Sequence, residues 1–126
     1  MNRLEKIRLA YGSTLMDGGY TLWQDGKKRE KGFVVGGVSI ERMCDRDDFE
    51  RFAKLYDDYT DMVRTDVFVR SVVGMGTWRH QGQIHFDVVE HFEDEDIAIN
   101  KCKKRGELTY YEIATKESIF VEIPNK

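Results

Sequence analysis

The residues best suited to chemistry lie close together in GMGTWRHQGQIHFDVVEHFEDEDIAINKCKKRGEL, residues 74–108, which holds His80, His85 and His91. His85-x-Asp87 followed by His91 offers two imidazoles and a carboxylate, donors that suit a divalent metal or acid–base work. On a regular strand His85, Asp87, Val89 and His91 share one face, with alternate residues about 6.5–7 Å apart. One strand cannot close a metal site at that spacing, so a further ligand must come from elsewhere, for example from Glu93, Asp94, Glu95 or Asp96. The plainer expectation is that these are solvent-facing polar residues of an amphipathic strand, because Ile84, Phe86 and Val88 alternate with Gln83, His85 and Asp87.

Neighbouring charges have a similar double reading. Glu90, Glu93, Asp94, Glu95 and Asp96 are carboxylates able to hold magnesium, yet acids at a helix start also complement the macrodipole. Lys101, Lys103, Lys104 and Arg105 could meet phosphate, yet bases belong in a last turn, and the backbone N–H groups there point away from an anion. Covalent catalysis finds little: the chain has no G-x-S-x-G, and Cys44 and Cys102 sit in no protease signature. Its glycine pairs match neither a P-loop nor a dinucleotide fingerprint. An enzyme is therefore unsupported, apart from the metal alternative built on His85, Asp87 and His91.

The elements that would position these residues follow from period and punctuation. Tyr20–Trp23 and Phe33–Val35 flank a charged, Gly-bounded loop and predict a hairpin with a mobile, exposed tip, its second strand continuing through Val38-Ser39-Ile40. Asp45 is placed to cap a helix over about 46–62, whose stripe is Phe49, Phe52, Ala53, Tyr56 and Tyr59 or Thr60. Residues 66–73 are β-branched and aromatic, hence a strand, broken or bulged by Gly74 and Gly76. Gly82 supplies a turn into the strand around Phe86. A second helix begins at Glu93–Asp96, buries Ile97, Ala98 and Cys102, and stops at Gly106. Strands at 108–113 and 119–123 close the chain. This order predicts an α+β fold over residues 1–126 as one domain: a mainly antiparallel sheet of about six strands with two helices on one face.

The totals agree. The 126 residues suit one domain, and 40% hydrophobic with 34% charged is globular composition with a very polar surface. A net charge of −3 disfavours general nucleic-acid binding. No stretch is apolar enough to span a membrane and no secretory h-region begins the chain, so the expected setting is cytoplasmic, with reduced thiols. No cofactor is expected.

Binding surfaces are the better prospect. Lys27, Lys28 and Arg29 stand at the charged loop. Asp57, Asp58 and Asp61, with Tyr56 and Tyr59, form the other face proposed to meet a partner. A different possibility is a pocket for a nucleotide signal, for which Trp23, Arg70, Trp78 and Arg79 are the candidates. Exposed sheet edges would also suit a homodimer.

Gly18-Gly19-Tyr20-Thr21, then Gly76-Thr77-Trp78, Gly82, Phe86-Asp87-Val88 and Leu108-x-Tyr110 resemble a loosely defined family of small accessory proteins of bacteriophages and mobile elements. The resemblance covers roughly half of the chain, residues 18–37 and 74–113, and carries no catalytic residues. It implies a phage gene product in the bacterial host's cytoplasm, binding and inhibiting or modulating a host defence protein as anti-CRISPR proteins do. An acidic helix face could then imitate nucleic acid toward a basic target.

Overall fold

The computed structural model describes residues 1–65 and 72–122. The elements run α1 (Arg3–Asp17), β1 (Gly19–Trp23), β2 (Phe33–Val35), β3 (Arg42–Asp45), α2 (Phe49–Thr65), β4 (Val73–His80), β5 (Gln83–Phe92), α3 (Glu95–Arg105), β6 (Thr109–Glu112) and β7 (Glu117–Phe120). The strands form one antiparallel sheet in the order β1-β4-β5-β2-β6-β7, with β3 also paired to β5. This is the expected α+β class, with three helices among the described residues where the periodicity predicts two, and seven strands there rather than about six.

All three helices cover the same side. Val73, Met75 and Thr77 stand opposite Glu90, Val88 and Phe86, and that row packs on Phe52, Leu55, Tyr56 and Tyr59 of α2 and on Ile7 and Ala10 of α1. Ala98 and Cys102 of α3 pack on Val35, Phe92 and Tyr110. Val35 lies opposite Glu90, so both clusters belong to one face of the sheet.

Local chemistry sets the ends. In α2 the carboxylate of Asp48, not Asp45, accepts the Arg51 N–H at 3.0 Å, because Asp45 is still the last residue of β3. Asp94 caps α3 by accepting from Asp96 and Ile97, and Gly106 ends it at φ 71°. Ile97, expected inside, is 48% exposed; with the start fixed at Glu95 the buried row is Ala98 and Cys102. The periodicity misses α1 because Ile7, Ala10 and Thr14 face inward while Leu4, Leu9 and Met16 stay exposed, which leaves no apolar stripe. Its signal was the capping pair: Asn2 accepts the Glu5 N–H, and Glu5 accepts the Asn2 N–H.

The expected hairpin of β1 with β2 does not form. β1 pairs with β4, and β2 with β5 and β6. The β4–β5 hairpin takes the space between them, closed by a tight turn with positive φ at Gln81 and Gly82. Nor does Val38-Ser39-Ile40 extend β2; the chain leaves the sheet there and returns as β3. Gly74 and Gly76 lie inside β4 rather than breaking it. A methyl group at Gly74 would sit 2.8 Å from both the Leu22 oxygen and Trp23 Cε3, so the glycine lets the Trp23 ring lie against the strand. The strand expected over 66–73 falls, for 66–71, outside the described residues.

Candidate functional site

The ten-residue β5 carries the chain's candidate chemistry. Its outer edge is shared: β3 pairs with residues 83–86 and β2 with residues 90–92. Gly36 to Glu41 bridges the gap between those partners. His85 and Asp87 meet that bridge, and His91 meets the loop that ends at Lys31. His85 Nδ1 donates to Glu41 Oε1 at 2.7 Å, while its ring stacks on Trp78 at 5.2 Å and 8°. Asp87 Oδ2 accepts the Gly37 N–H at 2.8 Å. His91 Nε2 donates to the Lys31 carbonyl at 2.9 Å. Since carboxylate and carbonyl oxygens only accept, these contacts also assign each ring's proton.

The metal alternative is therefore corrected. His85 and His91 stand six residues apart on an extended strand, about 20 Å, and each spends a ring nitrogen on a loop. No group of three metal-ligating side chains occurs among the described residues.

Asp87 also departs from expectation: it is 3% exposed rather than solvent-facing. Burial chiefly raises its pKa, to about 6, with the Gly37 and Val88 N–H groups opposing and the Glu107 and Glu41 charges adding to the rise. A methyl group on Gly36 would collide with Asp87 Oδ2 and lie 3.0 Å from Glu107 Oε1, so both carboxylates border the space that glycine leaves open. Asp87 Oδ1 and Ser39 Oγ are buried with no hydrogen-bond partner among the described residues. Beside them the buried Glu90 pairs with Arg105, which also donates to the Gly36 oxygen at 3.2 Å. Glu90 thus lies within β5 rather than at a helix start, and Arg105, in the last turn of α3, is its partner. Glu41, Glu107 and Arg105 are the residues that sequence reasoning missed as a cluster; the pair Gly36-Gly37 was the available hint.

The loop from Gln24 to Lys31 is fastened rather than free at its tip. Arg29 lies over the Trp23 ring at 5.3 Å and binds both Asp25 oxygens at 2.6 and 2.8 Å. That pairing, helped by the Lys27 N–H, holds the Asp25 carboxyl well below the usual carboxylate range. Trp23 meets His91 edge-on at 5.6 Å, which closes the set. Arg29 is thereby turned inward, with 14% of its side chain exposed, while Lys27, Lys28, Glu30 and Lys31 face solvent. Arg29→Ala is expected to speed tryptic cleavage at Lys27, Lys28 and Lys31 roughly five- to tenfold, the equivalent of a lost cation–π contact, with far-UV circular dichroism unchanged; an unaltered cleavage rate would show that the fastening is not used.

The remaining candidates separate. Trp23 lies opposite Gly74 and Trp78 opposite Gly19, four residues or about 13 Å apart along β1. One is under Arg29 and the other on His85, so they line no common pocket. Arg79 is exposed, and Arg70 lies outside the described residues. A shallow depression of about 440 Å³ occurs instead on α3, lined by Ile97, Asn100, Lys101, Lys103 and Lys104. Tyr56 and Tyr59 are core residues, 5% and 0% exposed, because they sit on the buried stripe of α2; this removes them from any contact surface. The acids beside them are matched by bases: Asp57 with Arg3, Asp58 with Lys54 and Arg42, Asp61 with Arg64. That face is a mosaic of both signs rather than an acidic sheet, and such exposed pairs add little stability.

Both cysteines are buried. Burial raises the Cys44 thiol to about 11 and raises Cys102 as well, which makes them poor nucleophiles. No described helix is long and apolar enough to cross a membrane. Comparison of the chain with protein-family models, with curated proteins and with solved structures gives no match.

Proposed function

We propose that this chain is a non-enzymatic binding protein that meets an acidic patch on a partner protein through Lys27, Lys28 and Lys31. In the phage setting that the sequence resemblance implies, the partner is a host protein whose action the chain inhibits or modulates. The observation that carries this reading is the fastening of the loop. Asp25, Arg29, Trp23 and His91 hold its backbone, while its lysines project into solvent. Ordering a charged loop in advance lowers the entropy cost of association, which a merely solvated loop has no need to do. Of the three histidines, the usual resources for acid–base work, two, His85 and His91, serve as loop anchors, which supports binding more than turnover.

The test is capture from host lysate by the wild-type chain and by Lys27→Glu/Lys28→Glu. The double variant is expected to retain its partner at least tenfold less well, with association slowed and the difference shrinking at high salt. Equal retention by both chains sinks the reading. Asp57→Lys/Asp58→Lys serves as the comparison: selective loss there would move the contact to α2.

A further inference from the structure

We propose that the outer edge of β7 is a docking strand for a second copy of this chain, so that two copies join edge to edge in one continuous antiparallel sheet. β7 pairs with β6, and among the described residues its far side is open. The parity of the ladder fixes which groups are free there. Val121 donates its N–H to the Leu108 oxygen at 2.9 Å, and this pair continues the register that sets Thr109 opposite Phe120. Hydrogen-bonded residues alternate along an antiparallel strand. Glu117, Ile119 and Val121 therefore bond to β6, while Ser118 and Phe120 turn their backbone N–H and C=O groups outward. Ile119 and Tyr110 face the cluster under α3, so Ser118 and Phe120 stand on the helix-free face. There Phe120 is 80% exposed, and Tyr111, opposite Ser118, is 38% exposed.

One register suits a second copy. With a two-fold axis at Ile119, Ser118 lies opposite Phe120 of the second copy and Phe120 opposite its Ser118, each pair exchanging both backbone bonds. Lys116, in the turn before β7, then comes level with Glu122 of the second copy; both side chains are exposed. Opposite charges thus meet at each end of the contact, and Glu117 faces Val121, so no like charges are opposed. Sliding by two residues either way sets Ser118 or Phe120 against itself and parts Lys116 from Glu122. The Phe120 ring of the second copy comes to lie over the small Ser118, beside Tyr111, and loses much of its exposure. On the other face Ile119 meets Ile119 at the axis and carries the apolar cluster of Val35, Phe92 and Tyr110 from one copy to the other. β1 is the other open edge, but its sequence GYTLW has no charge to set a register.

The dimer asks nothing of Lys27, Lys28 or Lys31, so its test and the lysate capture fail separately. That test is sedimentation equilibrium of the full chain over roughly 10 μM to 1 mM, the range for a contact at the small end of interface sizes. Wild type is expected to pass from monomer to dimer across it. Ser118→Pro removes an N–H that points away from β6, and should keep its far-UV circular dichroism while the dimer weakens about tenfold or more. Lys116→Glu and Glu122→Lys should each weaken the dimer roughly five- to tenfold at low salt. Lys116→Glu/Glu122→Lys should restore it, because the exchanged charges meet again. If Ser118→Pro loses its fold, that restoration decides. A monomer throughout the range overturns the proposal. So does a dimer unmoved by a folded Ser118→Pro, or a double variant no better than the single ones. A dimer lost in Thr21→Pro and kept in Ser118→Pro also overturns it, and places the contact on β1.

Discussion

Arg105→Met is expected to destabilise the fold by about 3–5 kcal/mol, the usual cost of removing one partner of a buried ion pair. The Glu90 side chain is 8% exposed and that of Arg105 20%, so water can do little for the carboxylate left behind. Glu90 lies opposite both Val35 and Val73, between the two apolar clusters, where an unpaired charge is least tolerated. The same substitution removes the Arg105 hydrogen bond to Gly36 and so loosens the segment over Asp87. The pair itself need not be strongly favourable. Glu90→Leu/Arg105→Met is expected to recover most of the loss, because desolvating two charges offsets much of their attraction. Urea denaturation of the three chains decides it. The single variant should lower the midpoint with an unchanged slope, and a loss under about 1 kcal/mol would mean that the pair is solvated in practice.

Phe86→Ala carries a comparable expected loss, about 3–5 kcal/mol, for a different reason. Phe86 is fully buried and its ring lies 4.9 Å from Phe52 and 5.6 Å from Tyr59. It is thus the point at which α2 rests on β5. Truncation removes apolar burial and leaves a cavity between a helix and a sheet, neither of which can collapse without moving the other. Ile97→Ala is the control: a large aliphatic residue that is half exposed and should change stability by no more than about 0.5 kcal/mol. Both are read from the same denaturation curves. If the two variants behaved alike, the assignment of the buried row of α3 to Ala98 and Cys102 would fall.

How much of this was legible differs from element to element. The stop at Gly106, the turn at Gly82, the inward row Ile84, Phe86 and Val88, and most of the α2 stripe were readable. Each depends on residues within one turn of helix or one pleat of strand. The cap of α2 was misplaced by three residues because Asp45 and Asp48 are chemically equivalent until β3 claims the first. The helix at the start was hidden because its apolar residues point in every direction, although its capping pair stood in plain text.

By itself, then, the chain determined its class, an antiparallel sheet with amphipathic helices, since period and capping are local properties of the backbone. Only the tertiary structure decided that β4 and β5 part β1 from β2, and that His85, Asp87 and His91 hold loops instead of an ion. Alternation tells which way a side chain points but not what comes to lie over it. The cost of closing a loop changes so slowly with its length that the path of residues 24–32 and 36–41 is settled by the partners they find across the sheet. Lys31 on His91 and Gly37 on Asp87 are such partners, far from one another in the chain and adjacent only in the fold.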